Sequence, residues 1–158
     1  MSRVRPNYFF SPLFVIITAS AASYFAETGR AWYQTLNLPD WTPSGSVMVL
    51  AWTIIFILST ISLLIIWNKH ASEKRFGLTI GLFIVNGILI VGWNILFFSH
   101  HQMGLAFFQA LLLIVNIVLL IFITWRFSPL AASLLLPYNF YLLFSTALTF
   151  NVWMSNLK

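Results

Sequence analysis

The stretch MGLAFFQALLLIVNIVLLIFITW, residues 103–125, contains no charged side chain. About 20 consecutive apolar residues are enough for an α-helix to cross the hydrocarbon core of a bilayer. The apolar residues run continuously, whereas the strands of a membrane barrel are about 10 residues long and alternate between apolar and polar positions. The stretch therefore predicts a transmembrane helix.

Four more runs of this kind flank the first, and the whole chain is apolar enough to need a bilayer. Of its 158 residues, 60% are hydrophobic and only 7% are charged, against about 25% charged residues in an ordinary soluble domain. The length predicts one domain over residues 1–158. We expect an all-α membrane protein, a five-helix bundle with spans at residues 9–25, 47–67, 76–98, 103–125 and 130–153.

The charged residues support these spans because none lies at the centre of a run, where a charge costs at least about 2.5 kcal/mol. The absence of a membrane-embedded acid or base disfavours a proton-coupled pump. The basic residues are too scattered for a nucleic-acid-binding face. With no cysteine and with histidines only in loops, no metal site and no catalytic residue are predicted. The charged residues are Arg3, Arg5, Glu27, Arg30, Asp40, Lys69, Glu73, Lys74, Arg75, Arg126 and Lys158, and the histidines are His70, His100 and His101.

The distribution of Lys and Arg predicts the orientation of the bundle. Six of these residues lie at the amino terminus, in the loop at 68–75 and at Arg126, and these three regions share one side. Only Arg30 and Lys158 lie on the other side. The positive-inside rule then places the amino terminus in the cytoplasm of a bacterial inner-membrane protein; the alternative location is the mitochondrial outer membrane.

The first run has a second interpretation. Arg3 and Arg5, an apolar stretch and the small residues 19–21 also resemble a signal peptide with its cleavage site.

Three prolines bear on helix geometry. Pro12 and Pro129 lie near predicted helix starts, where a missing N–H costs nothing. Pro137 lies about two turns into the fifth run, so we expect it to kink that helix.

The long connection AWYQTLNLPDWTPSGS, residues 31–46, carries large aromatic side chains where a loop is usually polar. Trp32, Tyr33 and Trp41 would face water unless they fold onto an apolar surface. Pro39 and Pro43 restrict φ and favour an extended, ordered backbone. We therefore expect this loop to be a structured lid over the outer mouth of the bundle.

The remaining aromatic residues are of two kinds. Tryptophans at the ends of spans are typical of the interfacial belt of a membrane protein, and Trp67, Trp125 and Trp153 have that position. Others lie further inside the runs, where they could line a binding cavity with large contact areas and a polar handle. These are Trp52, Trp93, Tyr138 and Tyr141.

Ordered motifs from residue 30 to the end resemble the TspO family, the tryptophan-rich sensory proteins that include the mitochondrial translocator protein (peripheral benzodiazepine receptor). The loop has the pattern W-Y-x-x-L-x-x-P-x-W-x-P, and W-x-x-x-F-F and S-P-L-A-A-x-L-L-x-P-Y follow further on. The matching residues are Trp32, Tyr33, Leu36, Pro39, Trp41, Pro43, Trp52, Trp93, Phe97, Phe98, 102–104, 128–132, Leu134, Leu135, Pro137, Tyr138, Phe144, Leu148, Val152, Trp153 and Asn156.

The resemblance implies a membrane receptor that binds porphyrins or other flat hydrophobic molecules beneath the first loop, for sensing, sequestration or transport. It implies no obligatory cofactor, but a bound tetrapyrrole such as protoporphyrin IX or haem. Arg30 could pair with the carboxylates of such a ligand, or it could be a solvated loop charge. The partners expected are the lipid bilayer and this small molecule. The expected ligand-binding residues are Trp32, Tyr33, Trp41, Trp52, Phe56, Trp93, Phe97, Tyr138 and Tyr141.

The chain departs from the family at several positions. Tyr141 stands where the family has a tryptophan, Ile90 where it has an asparagine, and Thr149 where it has a second amide. Gln109 replaces an acidic residue, and Phe56 replaces a tyrosine. These replacements remove polar groups from the expected site.

Two alternative functions remain open, a light-dependent porphyrin-degrading enzyme and a membrane assembly subunit without a small ligand. The spacing Gly77-x-x-x-Gly81 allows close helix approach and predicts a homodimer contact. A cholesterol-binding tail is not predicted, because Phe150 and Met154 replace the tyrosine and the basic residue of that motif.

Overall fold

A computed structural model describes residues 7–157. Five long helices cross the molecule, no β-strand occurs within this range, and a π-helical turn at Ile95–Ser99 extends the third long helix. The helices are α1 (Asn7–Thr28), α2 (Arg30–Tyr33), α3 (Gly45–Lys69), α4 (Phe76–Asn94), α5 (Met103–Trp125), α6 (Pro129–Ser133) and α7 (Leu136–Ser155).

The five predicted spans are confirmed; the span at 103–125 has the predicted ends, and the other four extend by a few residues. The segments long and apolar enough to cross a bilayer are Tyr8–Thr28, Gly45–Lys69, Phe76–Ser99, Met103–Trp125 and Pro129–Ser155. Within the described range, the charged residues lie at the ends of these segments or in loops. The chain is therefore an integral membrane protein. Arg3, Arg5 and Lys158, used to predict its orientation, lie outside the described residues.

The helices pack around two clusters of buried side chains. Helix α5 lies beside both α4 and α7, and α1 packs on α3 and α4, so α1 is part of the bundle. By contrast, α3 and α7 meet over only a short length. Fully or nearly fully buried side chains from the central helices fill the interior, among them Ile66, Leu113, Ile117, Leu120 and Leu135.

A buried polar network also ties three helices together. Asn86 Nδ2 donates to Asn116 Oδ1 at 2.8 Å, and the Tyr138 hydroxyl donates to Asn86 Oδ1 at 3.2 Å. Asn116 Nδ2 donates to the carbonyl of Leu82 at 3.2 Å. Side-chain hydrogen bonds of this kind hold neighbouring membrane helices in a defined register. The network therefore fixes α4, α5 and α7 relative to one another.

The prolines act in three ways. Pro129 is the first residue of α6, as expected. Pro137 interrupts the fifth span completely: α6 ends at Ser133, and α7 begins at Leu136 with Pro137 in its first turn. The expectation for Pro12 was wrong, because α1 already begins at Asn7 and Pro12 lies inside it. The apolar run alone marked the start of this helix too late.

Candidate ligand-binding site

The first half of the lid (residues 31–46) is held against the connection between α4 and α5. The Trp32 ring stacks on the His101 ring with 4.0 Å between centroids. It also contacts the edge of Phe97 at 5.5 Å, while Tyr33 lies 5.8 Å from Phe98. Just before the lid, a Cβ on Gly29 would lie 2.5 Å from the Phe98 carbonyl oxygen. Only glycine allows this close approach of the two backbones.

The π-helical turn supplies the surface that the lid covers. Its backbone closes where the His100 N–H donates to the Ile95 carbonyl at 2.9 Å. The turn buries Phe97, whose ring stacks on Trp93 with 4.9 Å between centroids and 10° between planes. His101 follows with a φ of 56°, a left-handed conformation that turns the chain toward α5. Such π-helical turns are frequent at functional sites.

The second half of the lid rests on α7. The backbone N–H and carbonyl of Asn37 both bond to the side chain of Asn156, each at 3.0 Å. Trp41 contacts the edge of Phe144 at 5.6 Å. The expected structured loop is therefore confirmed. Trp41 is less covered than expected and stays 47% exposed, because it meets this ring only edge-on.

All of the predicted site residues except Trp41 fall into two groups of rings. The mouth cluster consists of Trp32, Tyr33, Trp93, Phe97 and Phe98 and lies around the π-helical turn.

The wall cluster consists of Trp52, Phe56, Tyr138 and Tyr141 and lies between α3 and α7. Within it, Trp52 is 5.8 Å from Phe56, 5.9 Å from Tyr138 and 5.7 Å from Tyr141. Tyr141 also lies 5.9 Å from Phe144, which connects the wall cluster to Trp41 of the lid. These rings occupy the place where α3 and α7 barely touch, so side chains close this part of the bundle.

Two small cavities lie among these rings. One, of about 20 Å³, separates the two clusters and is bounded by Trp52, Trp93 and Leu142. The other, also about 20 Å³, lies deeper and is bounded by Phe56 and Tyr138. Each has room for about one water molecule, whereas pockets for small ligands measure about 300–1,000 Å³. A tetrapyrrole does not fit either space in this closed conformation.

The departures from the family pattern have visible consequences. Ile90 is buried and borders both cavities with an apolar side chain. Thr149 donates to the carbonyl of Ser145 in its own helix at 2.9 Å. Gln109 donates to the carbonyl of Leu89 at 2.9 Å, linking α5 to α4. These three side chains therefore stabilise the bundle and add no free polar group to the site.

Burial and charge pairing affect the polar residues at the mouth. Partial burial raises the pKa of the Tyr33 phenol above its ordinary value. Arg30 Nη1 lies 3.3 Å from Glu27 Oε1, and both side chains are well exposed. Exposed pairs of this kind contribute at most about 1 kcal/mol to stability. Arg30 thus has a nearby partner that a ligand carboxylate would have to replace.

The remaining predicted positions belong to neither cluster. Gly77 and Gly81 are on an open face of α4, where an added Cβ would meet nothing within 4 Å. Among the end-of-span tryptophans, Trp125 is 48% exposed. Trp67 packs on the edge of Phe76, and Trp153 packs over Gly104.

Sequence reasoning missed several contributors to the site. His101 was interpreted only as an interfacial loop residue, and no sequence signal indicated its stacking on Trp32. The family patterns included Phe98, Phe144 and Asn156, but without a role for them. Asn86, which shares a hydrogen bond with Tyr138, was also missed; an amide at membrane depth is a signal that could have identified it.

Comparison with known proteins agrees with this architecture. Residues 10–154 match the TspO/MBR family. The uncharacterized membrane protein YtaB of Bacillus subtilis is 32% identical over 149 residues, covering 92% of this chain and 94% of that protein. The tryptophan-rich protein TspO of Bacillus cereus is 32% identical over 128 residues, covering 80% and 82% of the two chains. The translocator protein of Ovis aries is 31% identical over 135 residues, covering 84% and 79%. With this match over nearly its whole length, and with five membrane helices under an aromatic lid, the chain belongs to the TspO/MBR family.

Proposed function

We propose that the protein is a membrane receptor for a flat hydrophobic molecule, such as protoporphyrin IX or haem, which it binds between the lid and the two aromatic clusters. Sensing, sequestration and transport all begin with this binding step. Aromatic rings favour such a ligand because they stack on its faces, and indole N–H groups can meet its peripheral carboxylates.

One observation carries this proposal. The mouth cluster and the wall cluster face each other across the cavity between Trp93 and Trp52, and the lid is attached to His101 before α5 and to the end of α7. A belt of tryptophans serving only as membrane anchors would point outward to the headgroups. Here the two rings line an internal space.

Binding requires the site to open, since the closed space is too small. The rings that separate the clusters are held by contacts between side chains, and α3 and α7 share little backbone packing near Tyr141. Lifting the lid and rotating these rings would enlarge the space between the two clusters without unfolding a helix. The protein thus stabilises a closed state and binds ligand in an open one, as lidded sites do.

A protoporphyrin titration in lipid nanodiscs tests the proposal, with quenching of tryptophan fluorescence as the readout. We expect saturable quenching and a loss of affinity of about 2- to 12-fold in Trp52→Ala, the range for one aromatic pair. Trp125→Ala is the matched control, because Trp125 lies at the opposite end of the bundle and is exposed. Quenching that does not saturate, or an equal loss in both variants, would contradict the proposal.

We also propose that the protein forms a homodimer through α4. The open face at Gly77 and Gly81 would let a second helix approach closely. Because the chain has no cysteine, Gly81→Cys would introduce a unique thiol. Disulfide-linked dimers are expected in membranes, and a purely monomeric product would reject this interface.

The proposed orientation has the amino terminus in the cytoplasm of a bacterial inner membrane, supported by the excess of Lys and Arg at 68–75 and Arg126. Unique cysteines at two exposed positions, Gln34 in the lid and Ser72 in the opposite loop, can test it. An impermeant maleimide added to cells with a permeabilised outer membrane should label Gln34→Cys and not Ser72→Cys; the reverse pattern would invert the topology.

A further inference from the structure

A single side chain pairs both backbone groups of one lid residue. The Asn37 N–H donates to Asn156 Oδ1, and Asn156 Nδ2 donates to the Asn37 carbonyl, each at 3.0 Å. The amide of Asn156 thus bonds to the lid as a neighbouring backbone peptide would. The two residues are separated by 119 positions in the chain, so this contact joins the first loop to the carboxyl end of the bundle.

Asn156 is itself held in place by α7. It is the residue that follows the last residue of this helix, and its Nδ2 also donates to the Val152 carbonyl at 2.8 Å. Val152 is buried in the core cluster that includes Phe97 and Ala106. The side chain that bonds to the lid is therefore oriented by a packed helix end.

The hydrogen-bonded pair lies between two regions where rings hold the lid, and next to Leu36, which packs on the buried cluster around Phe97. Trp32 and Tyr33 bind the start of the lid through ring contacts, and Trp41 binds its far part through Phe144. Asn37 lies between these two regions and is itself exposed. Ring contacts allow a range of offsets within their preferred geometries, whereas two opposed hydrogen bonds fix both position and orientation more tightly.

We propose that Asn156 is a positioning residue that latches the lid closed, and that release of its pair with Asn37 limits how fast a flat apolar ligand reaches and leaves the site. The claim that the latch limits ligand access rests on the proposed function. Each hydrogen bond of this type shifts an equilibrium by about 2- to 12-fold. Two such bonds together correspond to about 4- to 140-fold, and because the pair is exposed we expect the lower part of this range, an increase of about 5- to 30-fold in the open fraction of the lid, when both are removed.

Amide hydrogen exchange of the ligand-free protein in nanodiscs tests the latch without relying on any ligand. In Asn156→Ala, the amides of residues 34–37, which are hydrogen-bonded in the closed lid, should exchange about 5- to 30-fold faster, while those of α5 keep their protection. Asn151→Ala is the matched control: it loses an equivalent bond to its own helix, from Asn151 Nδ2 to the Ala147 carbonyl at 2.9 Å, and does not touch the lid. Equal lid exchange in the two variants would overturn the proposal.

A second variant covers the case in which Asn156→Ala does not fold. Asn156→Asp keeps an acceptor for the Asn37 N–H, but it places a carboxylate against the Asn37 carbonyl, so faster lid exchange is again expected. Lid exchange identical to that of the wild type would overturn the latch.

Protoporphyrin kinetics then test its effect on ligand access. Both association and dissociation should accelerate in Asn156→Ala. Because the chain has no cysteine, Asn37→Cys and Asn156→Cys can be combined, and in protein shown by its gel mobility to have formed the disulfide both rates should fall and then recover with reductant. Unchanged rates in the locked protein would overturn control of access by the lid. If the wild-type protein does not bind protoporphyrin, the proposed function fails and the exchange result alone decides the latch.

Discussion

Replacing Gly29 by alanine should detach the start of the lid. The added Cβ would lie 2.5 Å from the carbonyl oxygen, 2.6 Å from Cβ and 2.8 Å from Cα of Phe98. Two of these atoms belong to the backbone of the π-helical turn, so rotating a side chain cannot relieve the overlap. Overpacking of this kind costs about 1–3 kcal/mol. We expect that destabilisation, together with separation of the Trp32 and His101 rings.

Two other glycines provide a graded comparison. At Gly104, an added Cβ would meet the Trp153 ring at 2.9 Å, a side chain that can shift, so a smaller cost is expected. At Gly45 nothing lies within 4 Å, and Gly45→Ala should stay within about 0.5 kcal/mol of the wild type.

Unfolding midpoints in one detergent measure the ranking, with tryptophan fluorescence as the readout. The order of destabilisation should be Gly29→Ala, then Gly104→Ala, then Gly45→Ala. If Gly29→Ala unfolded at the midpoint of Gly45→Ala with unchanged tryptophan emission, the close backbone approach at Phe98 would not exist and the described attachment of the lid would be wrong.

Two further predictions concern the interior and the lid. Asn116→Leu removes the acceptor of Asn86 Nδ2 and the bond to the Leu82 carbonyl. In the same unfolding assay, this substitution should lower stability by about 0.6–1.7 kcal/mol. An unfolding midpoint at or above that of the wild type would contradict the network. Because burial raises the pKa of Tyr33, the folded lid favours the neutral phenol. Its contribution to stability is complete below pH of about 10, the ordinary tyrosine value, and is lost as pH rises beyond that. Lid hydrogen exchange, corrected for its intrinsic pH dependence, should therefore accelerate above this pH in the wild type and much less in Tyr33→Phe, and identical profiles would refute the role of burial.

The membrane fold was predictable because it depends on local properties. A continuous apolar run such as residues 103–125 is a helix in a bilayer whatever surrounds it, since its backbone groups must be satisfied internally. The exclusion of charge from the centres of the runs marks the spans independently. Helix ends were less certain, as Pro12 illustrates, because Asn7 and Tyr8 join α1 without belonging to an obvious apolar run.

The candidate site was predictable in its residue types and only partly in its arrangement. The prolines and rings of residues 31–46 indicated an ordered loop. Their partners were not evident, because Trp32 stacks on His101 and Trp41 rests on Phe144. The residues predicted to line the site do lie close together. They form two clusters with small spaces between them, however, and not one open pocket.

The sequence by itself determined the number of membrane helices, their approximate limits and the presence of an aromatic, proline-restrained loop, because length, hydropathy and φ restriction act within a few neighbouring residues. Only the tertiary structure decided which faces of the helices meet. Helices that are apolar on nearly all sides do not encode their rotation in a hydropathy pattern. Their orientation depends on packing and on bonds between distant residues, such as Asn86 with Asn116 and Asn37 with Asn156. These long-range contacts hold neighbouring helices in register and attach the lid to the end of the bundle.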